Sequence, residues 1–500
     1  MKKVSLVILD GFGLSSKKEN NSIHLANTPN FDKLFDSGRF AKLDASGKAV
    51  GVLDGQIGNS EVGHMTIGSG RVMRQSIAEI DDLFAENSFK DLDVFNDGIS
   101  YVYKYGSRLH VMGLLGPGGV HAHSNHIKNM IKLIPSDIDV YLHIFGDGRD
   151  TDYKSLYTYL STCTGFLNNH KNVKIASVCG RFYAMDRDNN WDRIEKVYDT
   201  IVRGNNLTSI SLLDYVKKSY ELGIYDEFIE PALFNDNANI SSNDIVFFMN
   251  FRSDRARQIT QAITDDDFPS VFPLNKLENL YFVTMTKYYE NYKGKVFIEK
   301  KDIKNTLPEI FSKMGLRQLH LAETEKFAHV TKFFAGGNNV VFSGQDNVLI
   351  PSPKVKTYDL KPEMSAFEIF ETYKNKALGY DFTVVNFANG DMVGHSGKLD
   401  ASIKAVEILD KIIGELIEFS KKNDIELIIT ADHGNCEDMG TTENPHTAHT
   451  LNLVPFFYIS AGELVELKKT GGLSDIAPTV LDIMGIEKYE EMSGDSLIKK

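Results

Sequence analysis

The stretch Glu426-Leu-Ile-Ile-Thr-Ala-Asp-His-Gly434 is an apolar run that ends in an acidic residue, a histidine and a glycine. Two other segments share this design, since Val4–Leu9 runs into Asp10 and Phe382–Phe387 runs into Asp391. Short apolar runs of this kind are typical of buried parallel strands. Ligands bind beyond the carboxyl ends of the strands in open α/β sheets, so we expect the three acids to converge there.

The segment between the second and third runs predicts a helix. Apolar residues recur at helical spacing from Ile403 to Ile417, with lysine and glutamate between them. Two parallel strands joined by a helix form a β-α-β unit, so the sequence predicts an α/β fold with a parallel sheet.

The middle of the chain predicts a second α/β domain. Its strand-like runs end in loops that carry arginine or histidine, and they are Leu109–Leu114, Asp139–Phe145, Lys174–Val178 and Ile245–Asn250. Because acidic strand ends lie both before and after this region, we expect it to be an insertion. The predicted boundaries are residues 1–76 and 304–500 for the first domain and 77–303 for the inserted one, which begins near 75–79 and ends near 301–306.

Composition and charge limit the classes of function. The net charge of −13 at pH 7 disfavours a nucleic-acid partner, because phosphate backbones repel acidic surfaces. The apolar runs are far shorter than the ~20 residues that cross a bilayer, and the run after Lys2-Lys3 is interpreted as a strand and not as a signal peptide. Three scattered cysteines do not suggest a disulfide framework, which favours a reducing cytoplasm.

Carboxylates and imidazoles cluster just past the predicted strand ends. The candidate metal ligands are Asp10, Asp391, His395, Asp432, His433 and His449. Mixed oxygen and nitrogen ligands suit Mn²⁺ or Zn²⁺ better than Ca²⁺, and this set is large enough for two ions. Each residue taken singly is also explained as a turn or surface residue. His446 is better interpreted as a neighbour of the site than as a ligand.

A candidate nucleophile lies in Gly55-Gln-Ile-Gly-Asn-Ser-Glu-Val-Gly-His64. This segment places Ser60 in a glycine-rich loop, where small residues let the backbone approach a phosphate or a metal closely. A serine hydroxyl becomes a good nucleophile only when a base or a metal lowers its pKa. Alone, the loop is explained equally well as a flexible turn, since it contains neither a Walker motif nor a complete GxGxxG.

Basic residues of the middle region concentrate in four loops, at 118–123, 147–150, 181–187 and 251–257. Guanidinium groups bind carboxylate and phosphate oxygens in forked pairs, so these loops predict a pocket for a small anion. The alternative is that each arginine forms a surface ion pair with a nearby acid, namely Asp150, Asp186, Asp188 or Asp254.

Several motifs taken together resemble the 2,3-bisphosphoglycerate-independent phosphoglycerate mutases. The similarity runs nearly end to end, and its motifs are Val-Ile-Leu-Asp-Gly-Phe-Gly at 7–13, Gly-Asn-Ser-Glu-Val-Gly-His at 58–64, Asp-Gly-Arg-Asp-Thr at 147–151, Asn-Phe-Arg-Ser-Asp-Arg-Ala-Arg at 250–257, Glu-Thr-Glu-Lys at 323–326, Asn-Gly-Asp-Met-Val-Gly-His at 389–395 and Ala-Asp-His-Gly at 431–434. The last motif alone would indicate only the alkaline-phosphatase-like superfamily. The resemblance therefore implies an alkaline-phosphatase-like metal domain with an inserted, substrate-binding transferase domain.

The resemblance also implies site residues and cofactors. One Mn²⁺ would be held by Asp391, His395 and His449, and a second by Asp10, Ser60, Asp432 and His433, with other divalent ions possible. The implied substrate contacts are His121, Arg149, Asp150, Arg181, Arg187, Arg252, Arg255 and Lys326. Ser60 would carry the phosphoryl group between the hydroxyls of glycerate without 2,3-bisphosphoglycerate, while Asp150 carries a proton and Lys326 counters charge. Such a glycolytic isomerase is expected to be a cytoplasmic monomer that acts on the small molecules 3-phosphoglycerate and 2-phosphoglycerate.

Two other classes of function compete with this interpretation. A phosphopentomutase or a phosphatase of the same superfamily would share the metal residues, but neither accounts as well for the arginine-rich middle region. A catalytically inactive metal-binding scaffold would be expected to lack the nucleophile or a ligand, and every expected position is filled here.

Overall fold

The computed structural model describes residues 1–265, 268, 271–299, 302–462 and 464–499. Two compact units divide the chain, Met1–Gln75 with Asp302–Lys500 and, between them in sequence, Ser76–Lys301. Residues 300 and 301, at the predicted end of the insertion, lie outside the described residues.

The described strands alternate with helices along most of the chain. In chain order they are β1 (Lys3–Leu9), β2 (Phe40–Asp44), β3 (Leu109–Leu115), β4 (Val140–Gly146), β5 (Val173–Gly180), β6 (Ala232–Leu233), β7 (Ile245–Phe248), β8 (Tyr281–Thr284), β9 (Lys295–Val296), β10 (Gln318–Glu323), β11 (Gln345–Ile350), β12 (Phe382–Phe387), β13 (Ile425–Thr430), β14 (Val454–Ile459) and β15 (Thr470–Gly472).

The described α-helices are α1 (Ser22–Leu25), α2 (Pro29–Asp36), α3 (Ser60–Ser69), α4 (Ser76–Ala85), α5 (Asp93–Tyr105), α6 (Ser124–Leu133), α7 (Leu156–Leu167), α8 (Arg181–Ala184), α9 (Trp191–Ile201), α10 (Leu212–Glu221), α11 (Ser253–Thr264), α12 (Leu307–Lys313), α13 (Ala366–Lys376), α14 (Asn389–Gly394), α15 (Leu399–Lys422) and α16 (Ile476–Met484). Short 3₁₀ segments include Thr324–Lys326, and a π-helical turn spans His329–Phe333. No helix in the described part of the chain is long and apolar enough to cross a membrane.

The described residues of the first unit build an eight-stranded sheet in the order β11-β10-β12-β1-β13-β14-β2-β15. Strand β1 lies near its centre and pairs in parallel with both β12 and β13. Residues 6–9 of β1 are fully buried, as expected of a strand covered on both faces. The three apolar runs quoted above are therefore adjacent parallel strands, as predicted.

The predicted crossover helix is confirmed as α15, which lies between β12 and β13 in sequence. Its apolar residues Val406, Leu409 and Ile413 are buried in the core of the first unit. The helix and the parallel strands bring the ends of β1, β12 and β13 to one edge of the sheet, which is where a site would form.

The second unit, in its described residues, has its own seven-stranded sheet in the order β6-β5-β4-β3-β7-β8-β9. All neighbours are parallel except β5 and β6. The four runs predicted from the sequence correspond to β3, β4, β5 and β7. Because this unit separates β2 from β10, the predicted fold class is confirmed as an α/β parallel-sheet domain with a second α/β domain inserted into it.

A buried polar chain crosses three strands of the second sheet. His110 Nδ1 lies 3.0 Å from His143 Nε2, and His143 Nδ1 lies 2.8 Å from Ser177 Oγ. At the other end, Asp244 is 3.1 Å from His110 Nε2 and accepts a 2.6 Å hydrogen bond from Arg108. Burial lowers the pKa of both histidines, so the neutral rings are the stable form. Asp244 thus carries the negative charge that accepts hydrogen bonds at one end of this series of buried polar side chains.

Replacing Asp244 by Ala is expected to lower the free energy of unfolding of the second unit by about 3 kcal/mol, because buried donors lose their acceptor. Trp191 is the only tryptophan of the sequence and lies in this unit, so its fluorescence during urea unfolding reports on this unit directly. The matched control is Asp139→Ala, whose carboxylate is exposed and 3.4 Å from Lys174, with an expected cost below about 0.5 kcal/mol. Equal shifts in both variants would contradict the role of Asp244.

Candidate active site

Three buried carboxylates meet around one lysine at the carboxyl edge of the first sheet. Lys326 Nζ lies 2.6 Å from Asp10 Oδ1 and 2.6 Å from Asp391 Oδ2. Burial alone would lower the pKa of Lys326, but Asp10, Asp391 and Asp432 raise it above its ordinary value. The predicted convergence of the three acids is therefore seen, and the ammonium group of Lys326 compensates part of their charge.

The loops that carry these acids approach each other more closely than side chains would allow. Gly11, at φ +73°, follows Asp10, and a Cβ there would lie 2.7 Å from the Asp391 backbone. Gly63 of α3 would place a Cβ 2.8 Å from Asp432. Glycine at these two positions lets the loops and the helix pack against the acids.

Ser60 is not part of a flexible loop, which corrects the expectation from its glycine-rich surroundings. It is the first residue of α3 and is nearly buried, at 6% exposure. Asn59 caps this helix by accepting a hydrogen bond from the backbone N–H of Val62. Ser60 Oγ lies 2.7 Å from Lys326 Nζ, 3.0 Å from His433 Nε2 and 3.2 Å from Asp10 Oδ1.

Two histidines have ring orientations suited to binding a cation. The Nδ1 of His395 donates to the carbonyl of Thr447 at 2.6 Å, and that of His449 donates to the carbonyl of Gly58 at 2.8 Å. Each ring therefore turns Nε2 toward Asp391 Oδ1, at 3.1 Å in both cases. A lone pair that faces a carboxylate needs a proton or a metal ion beside it, so these rings fit metal ligands.

His449 reaches the site by a route that differs from the sequence prediction. It does not follow a strand end but lies five residues before Val454, the first residue of β14. Strand β14 runs antiparallel to β13, so its start lies at the same edge as the carboxyl end of β13. His446 donates from Nδ1 to the carbonyl of Asp438 and lies outside the close groups of ligand atoms found in the described residues.

The buried carboxylate of Asp432 supports the binding of divalent ions at this site. Both carboxylate oxygens of Asp432 are buried and neither has a hydrogen-bond partner among the described residues. Burying a carboxylate in this way is costly unless a cation lies against it. Burial would raise the pKa of Asp432, but His433, His64 and Lys326 lower it, so this carboxylate stays ionised. These residues therefore fit bound metal ions.

Two groups of close ligand atoms emerge from the described residues. Within each, the atoms lie within 4.8 Å of one another, and the groups are Asp391 with His433 and His449, and Asp10 with His64 and Asp432. The resemblance had placed His433 with Asp10 and had not singled out His64. His433 adjoins both groups, since its Nε2 lies 3.5 Å from Asp10 and its ring stacks on His449 at 3.7 Å. How the ligands divide between two ions stays a prediction.

Glu437 also escaped the sequence analysis. This fully buried carboxylate accepts hydrogen bonds from the backbone N–H groups of Gly13 and Asn435, at 3.0 and 2.8 Å, and from Thr450 and Asn452 side chains. It thereby ties together the loops after Asp10, His433 and His449. Glu437 lies seven residues past the end of β13, beyond the Asp432-His433 pair, and its local sequence gives no signal of this role.

The basic loops of the second unit contain a buried ion-pair network. Arg181 Nη1 donates to Asp147 at 2.7 Å and to Asp150 at 2.5 Å. Asp147 also accepts from the backbone N–H groups of Arg149 and Asp150, so it shapes the turn that presents them. Asp147 was quoted in the sequence motif but not predicted as a site residue.

His121 lies between two acids of these loops, 3.8 Å from Asp150 and 3.6 Å from Asp254. Burial and then Arg181 lower the pKa of His121 to about 4, so its ring is neutral at pH 7. Arg187 and Arg252 both contact Asp254, at 2.9 and 3.3 Å. Arg187 and Arg252 therefore form ion pairs with a nearby acid, as the alternative interpretation of the basic loops predicts. Because both pair with the single carboxylate of Asp254, the two positive charges are only partly compensated.

An excess of positive charge remains around Arg255. Burial lowers the pKa of its guanidinium, and Arg187, Arg181 and Arg149 lower it further because they are like charges nearby. Its Nη1 donates to the carbonyl of Met185 at 3.2 Å. Five of the seven predicted substrate residues of this unit lie in loops, whereas Arg181 and Arg255 lie in the first turns of α8 and α11, which corrects the prediction of a loop for these two. The guanidinium groups concentrated in these segments suit a small anion.

Known proteins resemble this chain along its whole length. A family model described as Metalloenzyme superfamily matches residues 2–488. The 2,3-bisphosphoglycerate-independent phosphoglycerate mutase of Clostridium kluyveri is 45% identical over 509 residues, and that of Staphylococcus aureus is 43% identical over 505, each covering 100% of this chain and 99% of its own. The chain belongs to the 2,3-bisphosphoglycerate-independent phosphoglycerate mutase family.

Membership in this family confirms the resemblance found in the motifs and makes the chain an isomerase, a phosphoglycerate mutase. A solved structure described as Leishmania mexicana phosphoglycerate mutase at low cobalt concentration aligns with a TM-score of 0.66 and 29% identity, covering 100% of this chain and 98% of that one. This structural similarity confirms the predicted α/β fold class. The relatives favour a phosphoglycerate mutase over the phosphopentomutase or inactive scaffold considered above.

Metal affinity is expected to fall as the pH falls. Hydrogen bonding to Asp391 raises the pKa of His395, and Asp391 likewise outweighs burial to raise the pKa of His449. Protons therefore persist on both rings above the usual pKa of about 6.5, and a metal must displace them. Titration with Mn²⁺, followed by the electron paramagnetic resonance signal of the free ion, should show affinity falling about tenfold per pH unit for each proton displaced.

The control for this titration is His446→Gln, which removes a histidine next to the site but outside the predicted ligand set. This variant should keep the affinity and the pH dependence of the unaltered protein. A Mn²⁺ affinity that is the same at pH 6 and pH 8 would contradict histidine ligation.

Proposed function

We propose that this chain interconverts 3-phosphoglycerate and 2-phosphoglycerate in glycolysis and gluconeogenesis by passing the phosphoryl group through Ser60, independently of 2,3-bisphosphoglycerate. The observation that carries the proposal is the surroundings of Ser60 Oγ, which touches Lys326, His433 and Asp10 within 3.2 Å. A hydroxyl placed beside a fixed cation and an imidazole is suited to nucleophilic attack. The phosphoryl group then has a residue of the chain that can hold it between two hydroxyls.

Two divalent ions, Mn²⁺ by preference, complete the proposal. Asp391, His395 and His449 would hold one, and Asp10, Ser60, Asp432 and His433 the other. Ions bound there would lower the pKa of the Ser60 hydroxyl and neutralise charge on the transferring group. The orphaned carboxylate of Asp432 and the orientation of His395 and His449 support this assignment.

In the proposed reaction, phosphorus exchanges its bond to a glycerate oxygen for a bond to Ser60 Oγ. Ser60 Oγ loses its proton and forms a bond to phosphorus as the bond from phosphorus to the glycerate oxygen breaks, and that oxygen takes up a proton to become a hydroxyl. The reverse exchange removes a proton from the other glycerate hydroxyl, places the phosphoryl group there and returns a proton to Ser60. Lys326 donates to Oγ, so its charge lies beside the forming bond and stabilises phosphoryl oxygens. Ser60 also opens α3, where backbone N–H groups favour a negative charge.

The basic loops of the second unit are assigned to the glycerate. Their guanidinium groups would bind its carboxylate while its hydroxyls exchange roles. Asp150 is a candidate to carry the proton of those hydroxyls, because Arg181 holds its carboxylate in place at 2.5 Å. Lys326 is assigned to the phosphoryl group and His121 to the substrate.

The cellular setting is also part of the proposal. A glycolytic role and three free, buried cysteines support a cytoplasmic location. The monomeric state stays a prediction.

Replacing Arg187 or Arg255 by Ala is expected to lower kcat/KM for mutase activity by about 10- to 100-fold, since each removes a charged hydrogen bond of about 1.5–3 kcal/mol. Glycerate held less firmly would escape, so a larger share of the phosphoryl groups should pass to water. Release of inorganic phosphate, measured beside an enolase-coupled assay, tests this. Arg203→Ala is the control, because Arg203 pairs with Asp199 and lies outside the predicted set. Unchanged rates in both test variants would make these arginines surface ion-pair partners.

Ser60→Ala is expected to keep the fold, because it removes one oxygen, and to reduce isomerisation by at least about 10³-fold. The enolase-coupled assay is run without added 2,3-bisphosphoglycerate. A second measurement mixes carbon-labelled substrate with substrate labelled on phosphorus, and product should rarely combine both labels. Extensive mixing would refute transfer back to the same glycerate. A fully active Ser60→Ala enzyme would refute the nucleophile.

A further inference from the structure

His64 lies next to the proposed metal ligands and has no role in the scheme above. It is fully buried in α3, one helical turn after Ser60. Its Nδ1 lies 2.8 Å from the carbonyl oxygen of Ser60 and 3.2 Å from Asp432 Oδ2, while its Nε2 lies 3.0 Å from Asn386 Nδ2. By distance alone it could be a metal ligand, since it groups with Asp10 and Asp432.

The neighbouring amide decides where the proton of His64 lies. Asn386 Nδ2 is also 2.8 Å from Asp10 Oδ2, and a carboxylate can only accept. Turning the amide over would set its oxygen against that carboxylate, so the NH₂ group faces Asp10. The same NH₂ group faces His64 Nε2. In this orientation Asn386 Oδ1 is buried without a hydrogen-bond partner, a cost that the two N–H contacts offset.

These contacts determine which ring nitrogen of His64 carries the hydrogen. Because Asn386 donates to Nε2, that nitrogen of His64 must carry the lone pair, and Nδ1 must carry the hydrogen. Nδ1–H donates to the carbonyl of Ser60 and lies beside Asp432. Both ring nitrogens are therefore used, and His64 has no free lone pair to offer a metal ion.

We infer that His64 is a positioning residue, which is held by Asn386 and which fixes the first turn of α3, and with it the Ser60 hydroxyl, relative to Asp10 and Asp432. The inference rests on the proposed function, because it assigns His64 to the same nucleophile. Asn386 adds the link to Asp10, so one amide ties a predicted metal ligand to the helix that carries Ser60. Small errors in the placement of a reacting group reduce rates steeply, which gives such a residue leverage over catalysis.

Two substitutions of His64 distinguish the role of Nδ1 from that of Nε2. An Asn side chain places its amide the same number of bonds from Cα as Nδ1, so His64→Asn keeps a donor toward Ser60. A Gln side chain reaches the position of Nε2, so His64→Gln loses that donor. We expect kcat to fall about 10- to 100-fold in His64→Gln and to stay within about threefold in His64→Asn.

A spectroscopic measurement distinguishes positioning from ligation. Protein labelled with ¹⁵N-histidine and loaded with Mn²⁺ is studied by pulsed electron paramagnetic resonance, which counts the histidine nitrogens bound to the metal. Both variants should retain the Mn²⁺ stoichiometry and the nitrogen count of the unaltered protein. Loss of one histidine coupling in both variants would make His64 a ligand and overturn the inference. Equal loss of activity in both, or no loss in either, would overturn it as well.

A measurement on the unaltered protein covers the case in which a variant fails to fold. The ¹⁵N chemical shifts of His64 should report hydrogen on Nδ1 and a lone pair on Nε2, and the opposite tautomer would overturn the inference. Ser60→Ala in the same assay keeps the two proposals apart. If it is inactive while both His64 variants behave as the unaltered protein, only the role of His64 fails; if it is fully active, the proposed function fails.

Discussion

The site depends on the electrostatic balance around the ammonium group of Lys326. Asp10, Asp391 and Asp432 are buried together, and like charges at this depth would repel strongly without compensation. Lys326 contacts two of the three, and its elevated pKa keeps it charged. The same nitrogen contacts Ser60, so the group that makes the acidic cluster stable also touches the nucleophile. Stability and chemistry therefore share one cation.

The acids around Lys326 follow the short parallel strands β1, β12 and β13, and these strands are predictable from the sequence. Strand β12 has the predicted ends, and β1 and β13 each begin one residue earlier than predicted. Apolar runs specify buried strands because burial is the dominant driving force, and an acid at the end of a run marks the edge of the sheet. The motif resemblance then supplied the ligand set and the substrate residues.

The remaining features depend on contacts between segments far apart in sequence. The glycines near Ser60 suggested a loop, yet the Asn59 cap and the packing of α3 make Ser60 the start of a helix. Glu437 binds three loops through backbone N–H groups and side chains, and nothing in its local sequence indicates this. His64 lay inside a quoted motif, but only the orientation of Asn386 assigns its proton. The position of His449 similarly required the antiparallel direction of β14.

The order of strands along the chain has a consequence for folding during synthesis. Strand β1 leaves the ribosome before the whole of the second unit, but its partners β12 and β13 begin at residues 382 and 425. The second unit, which spans residues 76–301, is complete long before that. Contacts between distant residues form slowly, because the intervening chain loses entropy when its ends meet. Strand β1 must therefore remain without these two partners until most of the protein has been made, and the inserted unit is ready to fold first.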